Sequence, residues 1–331
     1  MSKYDIYGIG AALVDTEIEV SDDFLQSAGV EKGVMTLVDE ARQFELLEHL
    51  HAHLGDSRRA SGGSACNSII ASSYFGSKAF YSCKVAADDN GSFYLADLND
   101  AGVGHNKNAN DSQGITGKCL VMITPDAERS MNTFLGISEL LSEAELDEQA
   151  LLDSQFLYIE GYLVTSPTGR AAAVKARQLA EQNGVKTALS LSDPFLVDSF
   201  QDGLREMLGD KVDLLFCNEA EAMSWAGTDT LDQAVDSLLN DARMVAVTCG
   251  AQGALVCDST QRLKIAPNVV TAVDTNGAGD MFAGAFLHAV CAGWSLQQAG
   301  DLASLASARV VSDFGPRLPA EKHSEILAAI R

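Results

Sequence analysis

The chain has 331 residues, which is enough for two domains of about 150 residues each or for one large α/β unit. Its 23 lysines and arginines stand against 46 aspartates and glutamates, giving a net charge of −23 at pH 7. Such an acidic surface repels phosphate polymers and anionic lipid at long range, which argues against nucleic-acid-binding and membrane-surface roles.

Short β-branched or apolar runs alternate along the chain with longer segments of helical period. The runs cover residues 5–10, 79–85, 156–160, 186–190, 214–218, 244–248 and 253–257. Helical patterns between them cover residues 68–75, 167–182, 219–226 and 231–239. This alternation predicts a three-layer α/β/α fold with a mainly parallel central sheet.

A second pattern interrupts the first. Residues 113–136 alternate apolar and polar side chains around the turn signal Thr124-Pro125-Asp126, which predicts an antiparallel hairpin with one solvated face. Residues 13–20 and 33–39 read as similar exposed strands, so we expect a small β-layer that projects from the main sheet. The uncharged residues 281–300 predict one buried helix.

The segment VDTNGAGD, residues 273–280, runs directly into an apolar helix. Small residues at a helix start leave the first backbone N–H groups free, and these form an anion site at the positive end of the helix dipole. Asp280 would lie beside such an anion, where phosphoryl transfer needs a general base. A tight turn followed by an ordinary helix-start acid explains the same spacing. Because residues 265–308 contain no lysine or arginine, a phosphate here requires Mg²⁺ and a remote cation.

Three further segments carry candidate binding residues. In SGGSACNS, residues 61–68, paired glycines allow close backbone approach and Asn67 offers a donor and an acceptor to sugar hydroxyls; an N-capped loop is the alternative. Asn218 and Glu221 lie three apart and could hold hydrated Mg²⁺, although a capping box explains them equally. Residues 245–256 read as strand, glycine turn and strand, which is either a plain hairpin or a turn beneath a nucleotide.

Taken together and in order, these segments resemble the PfkB or ribokinase-like family of carbohydrate and nucleoside kinases. The motifs that carry the resemblance span nearly the whole chain: GIGAALVD, SGGSACNS, TPDAERSMNTFLG, CNEAE, TCGAQGA, DTNGAGDMFAGAF and VVSDFGPRL. The resemblance implies one large α/β domain over residues 1–331, with lid strands at about 13–20, 33–39 and 113–136. The lid motif, MTLVD and FGPRL look closer to the adenosine-kinase-like members than to ribokinase proper. Asn276 departs from the usual threonine of DTTGAGD.

The resemblance also implies a role for individual residues. The catalytic group has Asp280 as base, an anion hole of Gly277, Ala278 and Gly279, and Arg129 as the cation that folds over the phosphates. The substrate hydroxyls would be bound by Asp15, Gly63, Ser64 and Asn67. The nucleotide and metal group comprises Asn218, Glu221 (Mg²⁺ through water), Thr248, Gly250 and Gly253, with a K⁺ site at Asp274 and Gly315.

The expected function is an ATP- and Mg²⁺-dependent kinase that phosphorylates the primary hydroxyl of an adenosine-like ribosyl nucleoside. A free-sugar kinase for ribose, fructose or 2-keto-3-deoxygluconate is the alternative, and a non-catalytic nucleoside sensor is a third. The aromatic residues that either flank a purine or only pack are Phe134, Tyr162 and Phe195. The lid's exposed apolar residues, which close on substrate or pair two subunits of a homodimer, are Ile115, Leu120, Met122 and Phe134.

Cysteine usage bears on the compartment. Seven cysteines are scattered without a CxxC pair, which favours a reducing compartment over disulfides or a zinc site. The first residues, MSKYDIYGIGAALVDTE, do not read as a signal peptide. We therefore expect a cytoplasmic protein.

Overall fold

The computed structural model describes residues 2–51, 57–109, 112–126 and 128–330. Within these ranges the strands are β1 (Tyr4–Ile9), β2 (Leu13–Glu19), β3 (Met35–Leu37), β4 (Arg58–Gly62), β5 (Ala79–Ser82), β6 (Gly104–His105), β7 (Gly117–Ile123), β8 (Arg129–Phe134), β9 (Ser154–Ile159), β10 (Lys186–Ser190), β11 (Leu214–Asn218), β12 (Met244–Thr248), β13 (Ala254–Asp258) and β14 (Arg262–Ile265). The helices are α1 (Asp22–Ser27), α2 (Glu40–Leu50), α3 (Ser64–Tyr74), α4 (Asp89–Asp100), α5 (Glu148–Leu152), α6 (Pro167–Gln182), α7 (Pro194–Leu208), α8 (Glu219–Ala226), α9 (Leu231–Asp241), α10 (Ala278–Cys291), α11 (Leu296–Val311) and α12 (Ala320–Ile330).

The central sheet has nine strands in the order β14-β13-β12-β11-β10-β9-β1-β5-β6. The strands from β12 to β6 run parallel, and β13 and β14 add an antiparallel edge. Parallel strands are buried on both faces, which explains their nearly continuous apolar sequences. One core packs α3, α10 and α11 against the sheet, and the other packs α6 to α9 against the opposite face. The predicted three-layer α/β/α fold is confirmed.

A separate five-stranded sheet, the lid, has the order β3-β8-β7-β2-β4. Strands β2, β3, β7 and β8 lie within the ranges 13–20, 33–39 and 113–136, and β4 is a further edge strand. Helices α1 and α2 cover the face of the lid that points away from the central sheet, with Ile18 and Leu46 in the shared core. Leu120 and Met122, expected on an exposed apolar face, are 1% and 0% exposed for this reason. These two side chains are therefore not available to a second subunit.

The prediction of one helix over residues 281–300 is wrong. Helix α10 ends at Cys291, and Gly293 follows in the left-handed region with a φ of 78°. Helix α11 then starts with its own capping box, formed by Ser295 and Gln298. Two antiparallel core helices therefore replace the single one. No helix in the described ranges is long and apolar enough to cross a membrane.

Candidate active site

A cleft of about 1010 Å³ lies between the lid and the central sheet. On the sheet side it is bounded by the carboxyl ends of β1 and of β9 to β12, which is where open α/β sheets bind ligands. The predicted site residues that line it are Asp15, Gly63, Ser64, Asn67, Asn218, Glu221, Thr248, Gly277, Ala278, Gly279 and Asp280. Those that do not line it are Arg129, Gly250, Gly253, Asp274 and Gly315.

The loop before α10 has the geometry of an anion site. Gly277 caps the helix with a φ of 73°, and a Cβ there would overlap the backbone of Pro316, so only glycine fits. A Cβ at Gly279 would meet nothing within 4 Å, so this turn is open towards the cleft. The first N–H groups of α10 have no acceptor within the helix. Together with the helix dipole they form a site suited to a phosphate group.

Asp280 lies in the first turn of α10 and is held from α3. Its Oδ1 accepts a hydrogen bond from Ser64 Oγ at 2.6 Å, and its Oδ2 accepts one from Asn67 Nδ2 at 3.0 Å. Burial raises the pKa of Asp280 to about 6, and the two hydrogen bonds oppose that rise. At neutral pH the group is therefore mostly an ionised carboxylate with a pKa close to the ambient pH, as a general base requires.

The amide oxygen of Asn67 is a free acceptor in this cleft. Asn67 is buried, and its Oδ1 has no hydrogen-bond partner although its Nδ2 is engaged with Asp280. A buried acceptor without a partner costs free energy, which a ligand donor would recover. A substrate hydroxyl is such a donor.

Asp15 projects from β2 of the lid and is 9% exposed. Burial raises the pKa of Asp15 to about 7; the charge of Arg317 lowers it and that of Glu17 raises it. Strand β4 pairs with β2 at this point, and a Cβ at Gly62 would overlap the Asp15 carboxylate. A glycine at position 62 therefore makes room for the acid.

Asn218 and Glu221 form the capping box of α8 and also line the cleft. Asn218 donates from its backbone N to Glu221 Oε2 at 3.0 Å and from Nδ2 to Glu221 Oε1 at 2.6 Å. Burial raises the pKa of Glu221 to about 7, whereas the hydrogen bonds from Asn218 lower it. The structure therefore shows the capping box, and a role of the pair in holding hydrated Mg²⁺ stays a prediction.

The glycine turn after β12 lies at the end of the cleft. Thr248 is the last residue of β12 and lines the cleft, whereas Gly250 and Gly253 are outside the lining, with φ values of 54° and 91°. A role of this turn beneath a nucleotide stays a prediction.

Arg129, expected over the phosphates, instead contacts two acids. Its Nη1 is 3.2 Å from Glu17 Oε1, and its Nη2 pairs with Asp274 Oδ2. Asp274 also accepts from the backbone N of Asn276 at 3.0 Å and of Gly315 at 2.8 Å. Both carboxylate oxygens of Asp274 therefore already have a partner in this arrangement, and the K⁺ site stays a prediction.

Three acids in the cleft lining, Glu139, Glu160 and Asp193, have no role in the sequence analysis, and the last two follow strands of the central sheet. Glu160 directly follows β9 and accepts from the backbone N of Ala11 at 2.6 Å and of Ala65 at 3.0 Å. Asp193 follows β10 after Ser192, whose φ of 70° is unusual for a residue with a side chain. A charged residue at the carboxyl end of a buried parallel strand is the signal that could have identified both.

The three predicted aromatic residues do not all lie in the cleft. Tyr162 and Phe195 line the cleft, with Phe195 61% exposed at its rim, whereas Phe134 does not line it. The lid contributes an apolar wall that faces them, formed by Val34, Leu37, Val121, Met131 and Leu135. The cleft therefore joins a polar end at α10 to a largely apolar end beneath the lid.

Comparison with known proteins defines the family. A model of pfkB family carbohydrate kinases matches residues 34–323. The chain belongs to the pfkB family. It is 29% identical to an adenosine kinase of Schizophyllum commune, over 96% of this chain and 97% of that protein.

Two solved structures are similar to this chain over nearly its full length. The adenosine kinase of Sinorhizobium meliloti is 32% identical with a TM-score of 0.84, covering 99% of this chain and 100% of that one. A probable sugar kinase of Rhizobium etli is 31% identical with a TM-score of 0.86, covering 100% of both chains. The resemblance to the adenosine-kinase-like branch is thereby confirmed. The protein is a phosphotransferase that acts on an alcohol group of a nucleoside or sugar, and membership in a kinase family implies ATP as donor.

The lining of the cleft is acidic. The acids that line it are Asp15, Glu139, Glu160, Asp193, Glu221 and Asp280, and no lysine or arginine among the described residues lines it. In the described ranges no three histidine, cysteine or acidic side chains converge to hold a metal ion by themselves. A divalent cation here would thus be held largely through water and phosphate oxygens.

Proposed function

We propose that this pfkB protein transfers the γ-phosphoryl group of ATP to the primary hydroxyl of a ribosyl nucleoside, adenosine-like first. The observation that carries the proposal is the Asp280 carboxylate, held by Ser64 and Asn67 beside the start of α10, whose N–H groups have no side-chain cap at Gly277. A base and an anion site next to each other are the parts that phosphoryl transfer to a hydroxyl needs.

The proposed reaction uses the chain's own groups as follows. Asp280 takes the proton of the acceptor hydroxyl, whose oxygen attacks the γ-phosphorus in line as the bond to ADP breaks. The N–H groups of residues 277–279 stabilise charge on the transferring group. Asp15 and Asn67 accept hydrogen bonds from the sugar hydroxyls and fix the acceptor at the required distance.

Positive charge must come from outside the cleft lining. The oxygen donors of Asn218 and Glu221 fit a hydrated Mg²⁺, which when bound would neutralise phosphate charge. Arg129 supplies the second charge if it exchanges Asp274 and Glu17 for phosphate oxygens when the lid closes. Its guanidinium makes few contacts besides these acids, since Nε has no hydrogen-bond partner.

The apolar end of the cleft favours a nucleoside over a free sugar. A free sugar presents hydroxyls on most sides and would leave the lid wall of Val34, Leu37 and Met131 without a partner, whereas a base would cover it. The adenosine kinase relatives support the same choice. A free-sugar kinase is the second candidate, because the Rhizobium etli probable sugar kinase is similar over its whole length.

A coupled ADP-release assay tests the proposal. Wild-type protein with MgATP is offered adenosine, inosine, ribose, fructose and 2-keto-3-deoxygluconate, with an acceptor-free reaction as control. The proposal predicts the highest kcat/KM with adenosine or inosine. A higher kcat/KM with a free sugar would select the second candidate. Tight nucleoside binding without stimulated ADP release would indicate a non-catalytic sensor.

A further inference from the structure

The segment Gly315–Pro316–Arg317 contacts both halves of the proposed site. The backbone N of Gly315 donates to Asp274 Oδ2 at 2.8 Å, and Pro316 packs against Gly277 so closely that no Cβ fits there. Arg317 extends in the other direction, towards the lid strand β4. The segment therefore bridges the anion loop and the strand that supports the acceptor side.

Arg317 and α4 together hold the end of β4. Arg317 Nη1 donates to Ser61 Oγ at 3.2 Å, and Nη2 donates to Asp97 Oδ2 at 2.9 Å. The same Asp97 oxygen accepts from the backbone N of Ser61 at 3.1 Å and from its hydroxyl. One turn earlier on α4, Tyr94 donates to the carbonyl of Gly62 at 3.0 Å. Ser61 and Gly62 are therefore held in place by hydrogen bonds with Arg317 and with two residues of α4.

These two residues in turn place Asp15. Ser61 pairs with Val14 in the β2–β4 ladder, and Gly62 lies directly against the Asp15 carboxylate. A displacement of Ser61 therefore moves the backbone on which Asp15 rests. Arg317 acts on Asp15 through this short chain of contacts.

Arg317 also acts on Asp15 by charge. The groups whose charges act on Asp15 are Glu17 on the same strand, Asp280 on α10, Arg129 on β8 and Arg317, and the thiol of Cys119 is close on β7. Burial is the main cause that raises the pKa of Asp15, and Arg317 is the strongest of these charges, lowering it. Arg129 is engaged with Glu17 and Asp274.

We propose that Arg317 is a positioning residue that favours the ionised form of Asp15 and joins Asp15 to the anion loop. The inference rests on the proposed function, in which an ionised Asp15 accepts hydrogen bonds from sugar hydroxyls. Loss of Arg317 raises the proton affinity of Asp15, so acceptor binding fails at a higher pH than in the wild type. A residue that only stabilises the fold would reduce binding equally at every pH.

The test compares adenosine affinity across pH 5.5 to 9 by titration calorimetry, with kcat/KM measured in parallel. For Arg317→Met we expect the pKa of Asp15, about 7 in the wild type, to rise by about one unit. Affinity should then fall about fivefold at pH 7, approach a roughly tenfold loss at pH 5.5 and recover by pH 9. Asp97→Asn removes the negative charge that partly offsets the charge of Arg317, so the pKa of Asp15 falls. The acid limb of adenosine affinity should therefore move to lower pH in this variant. Arg177→Met is the matched control, because Arg177 is a buried arginine paired with Glu181 outside the cleft.

The outcomes separate this inference from the proposed function. The inference is supported if the acid limb of adenosine affinity moves to higher pH in Arg317→Met and to lower pH in Asp97→Asn, and stays at the wild-type pH in Arg177→Met. A pH-independent loss in Arg317→Met, or shifts of the same sign, overturns it. If Arg317→Met does not fold, the direction of the Asp97→Asn shift decides alone. Wild-type protein that binds adenosine without phosphorylating it refutes the proposed function while the binding profiles still decide the inference, and absence of binding refutes both.

Discussion

Four buried or half-buried carboxyl groups in the cleft have different neighbours but similarly raised pKa values. Burial raises the pKa of Asp15, Glu160 and Glu221 to about 7 and that of Asp280 to about 6. Asp280 is also the acid that lies at the anion loop. Divergent environments of neighbouring acids commonly mark their separate roles. Because the four pKa values are similar, the position of Asp280 at the anion loop is what suits it to accept a proton, whereas the other three carboxyl groups are placed to hold ligands or backbone.

The hydrogen bond from Ser64 provides a test of this assignment. It lowers the pKa of Asp280, so Ser64→Ala should raise that pKa and move the acid limb of kcat to higher pH, while kcat at pH 9 changes less than about tenfold. The measurement is kcat against pH with saturating adenosine and MgATP. Ser73→Ala is the control, because Ser73 bonds to the carbonyl of Ala101 at the other end of α3. An acid limb that coincides with the wild type would contradict the assignment.

At the scale of elements, the lid is a small α/β unit with its own core. Its inner face carries Asp15 and lines the cleft, and its outer face is sealed by α1 and α2. Successive side chains of β2 and β7 point to opposite faces of the lid sheet. Asp15 and Val121 face the cleft, while Ile18 and Met122 face the helices. The helices are therefore part of what keeps Asp15 in place.

Leu46 on α2 tests this packing. It is fully buried in the lid core, so Leu46→Ala should lower the free energy of unfolding by about 2–5 kcal/mol. We also expect a raised KM for adenosine, because the same sheet holds Asp15. Leu140→Ala, at an exposed leucine, should change stability by less than about 0.5 kcal/mol. Equal effects of the two substitutions in urea unfolding would show that α2 does not stabilise the lid.

Elements with strong local signals were predictable from sequence. The bounds of β10, β11 and β12 match the predicted ranges because each strand contains a short run of apolar or β-branched residues, and α6 matches because Ser166 and Pro167 mark its start. Strand β4, with the sequence RRASG, has no apolar pattern because it is an edge strand. The contacts of Arg317 with Ser61 and of Glu160 with Ala11 join distant parts of the chain, which no local pattern encodes.

At the scale of the whole molecule, the acidity extends into the active site. The net charge is −23, and the cleft itself is lined by six carboxyl groups without a lysine or arginine. In the proposed reaction, phosphate binding therefore depends on backbone N–H groups, on added cations and on Arg129. Such a cleft also makes stability depend on pH.

Three buried acids determine the direction of that dependence. The pKa values of Asp15, Glu160 and Glu221 in the folded chain, about 7, lie above those of the unfolded chain, so the folded state binds more protons and stability falls as pH rises from 6.5 to 8. His288 and His323, whose pKa values burial lowers from 6.5, oppose this trend at the lower end of the window, because there the unfolded chain binds the extra protons. We expect the Tm in 0.5 M NaCl to fall by about 2–4 °C, the effect of roughly 1 kcal/mol in a large domain. Asp15→Asn should reduce the fall, and a Tm that rises with pH would refute this explanation.

In the proposed reaction Asp280 is the base for phosphoryl transfer to a nucleoside hydroxyl. The kcat of Asp280→Asn, measured with saturating adenosine and MgATP, tests this role most directly. The substitution keeps the size of the side chain and removes its basicity, and Asp301→Asn on α11 is the matched control. We predict that kcat falls by about 10²–10⁴-fold in Asp280→Asn and changes little in the control. A variant that retains more than about a tenth of the wild-type kcat would contradict the claim.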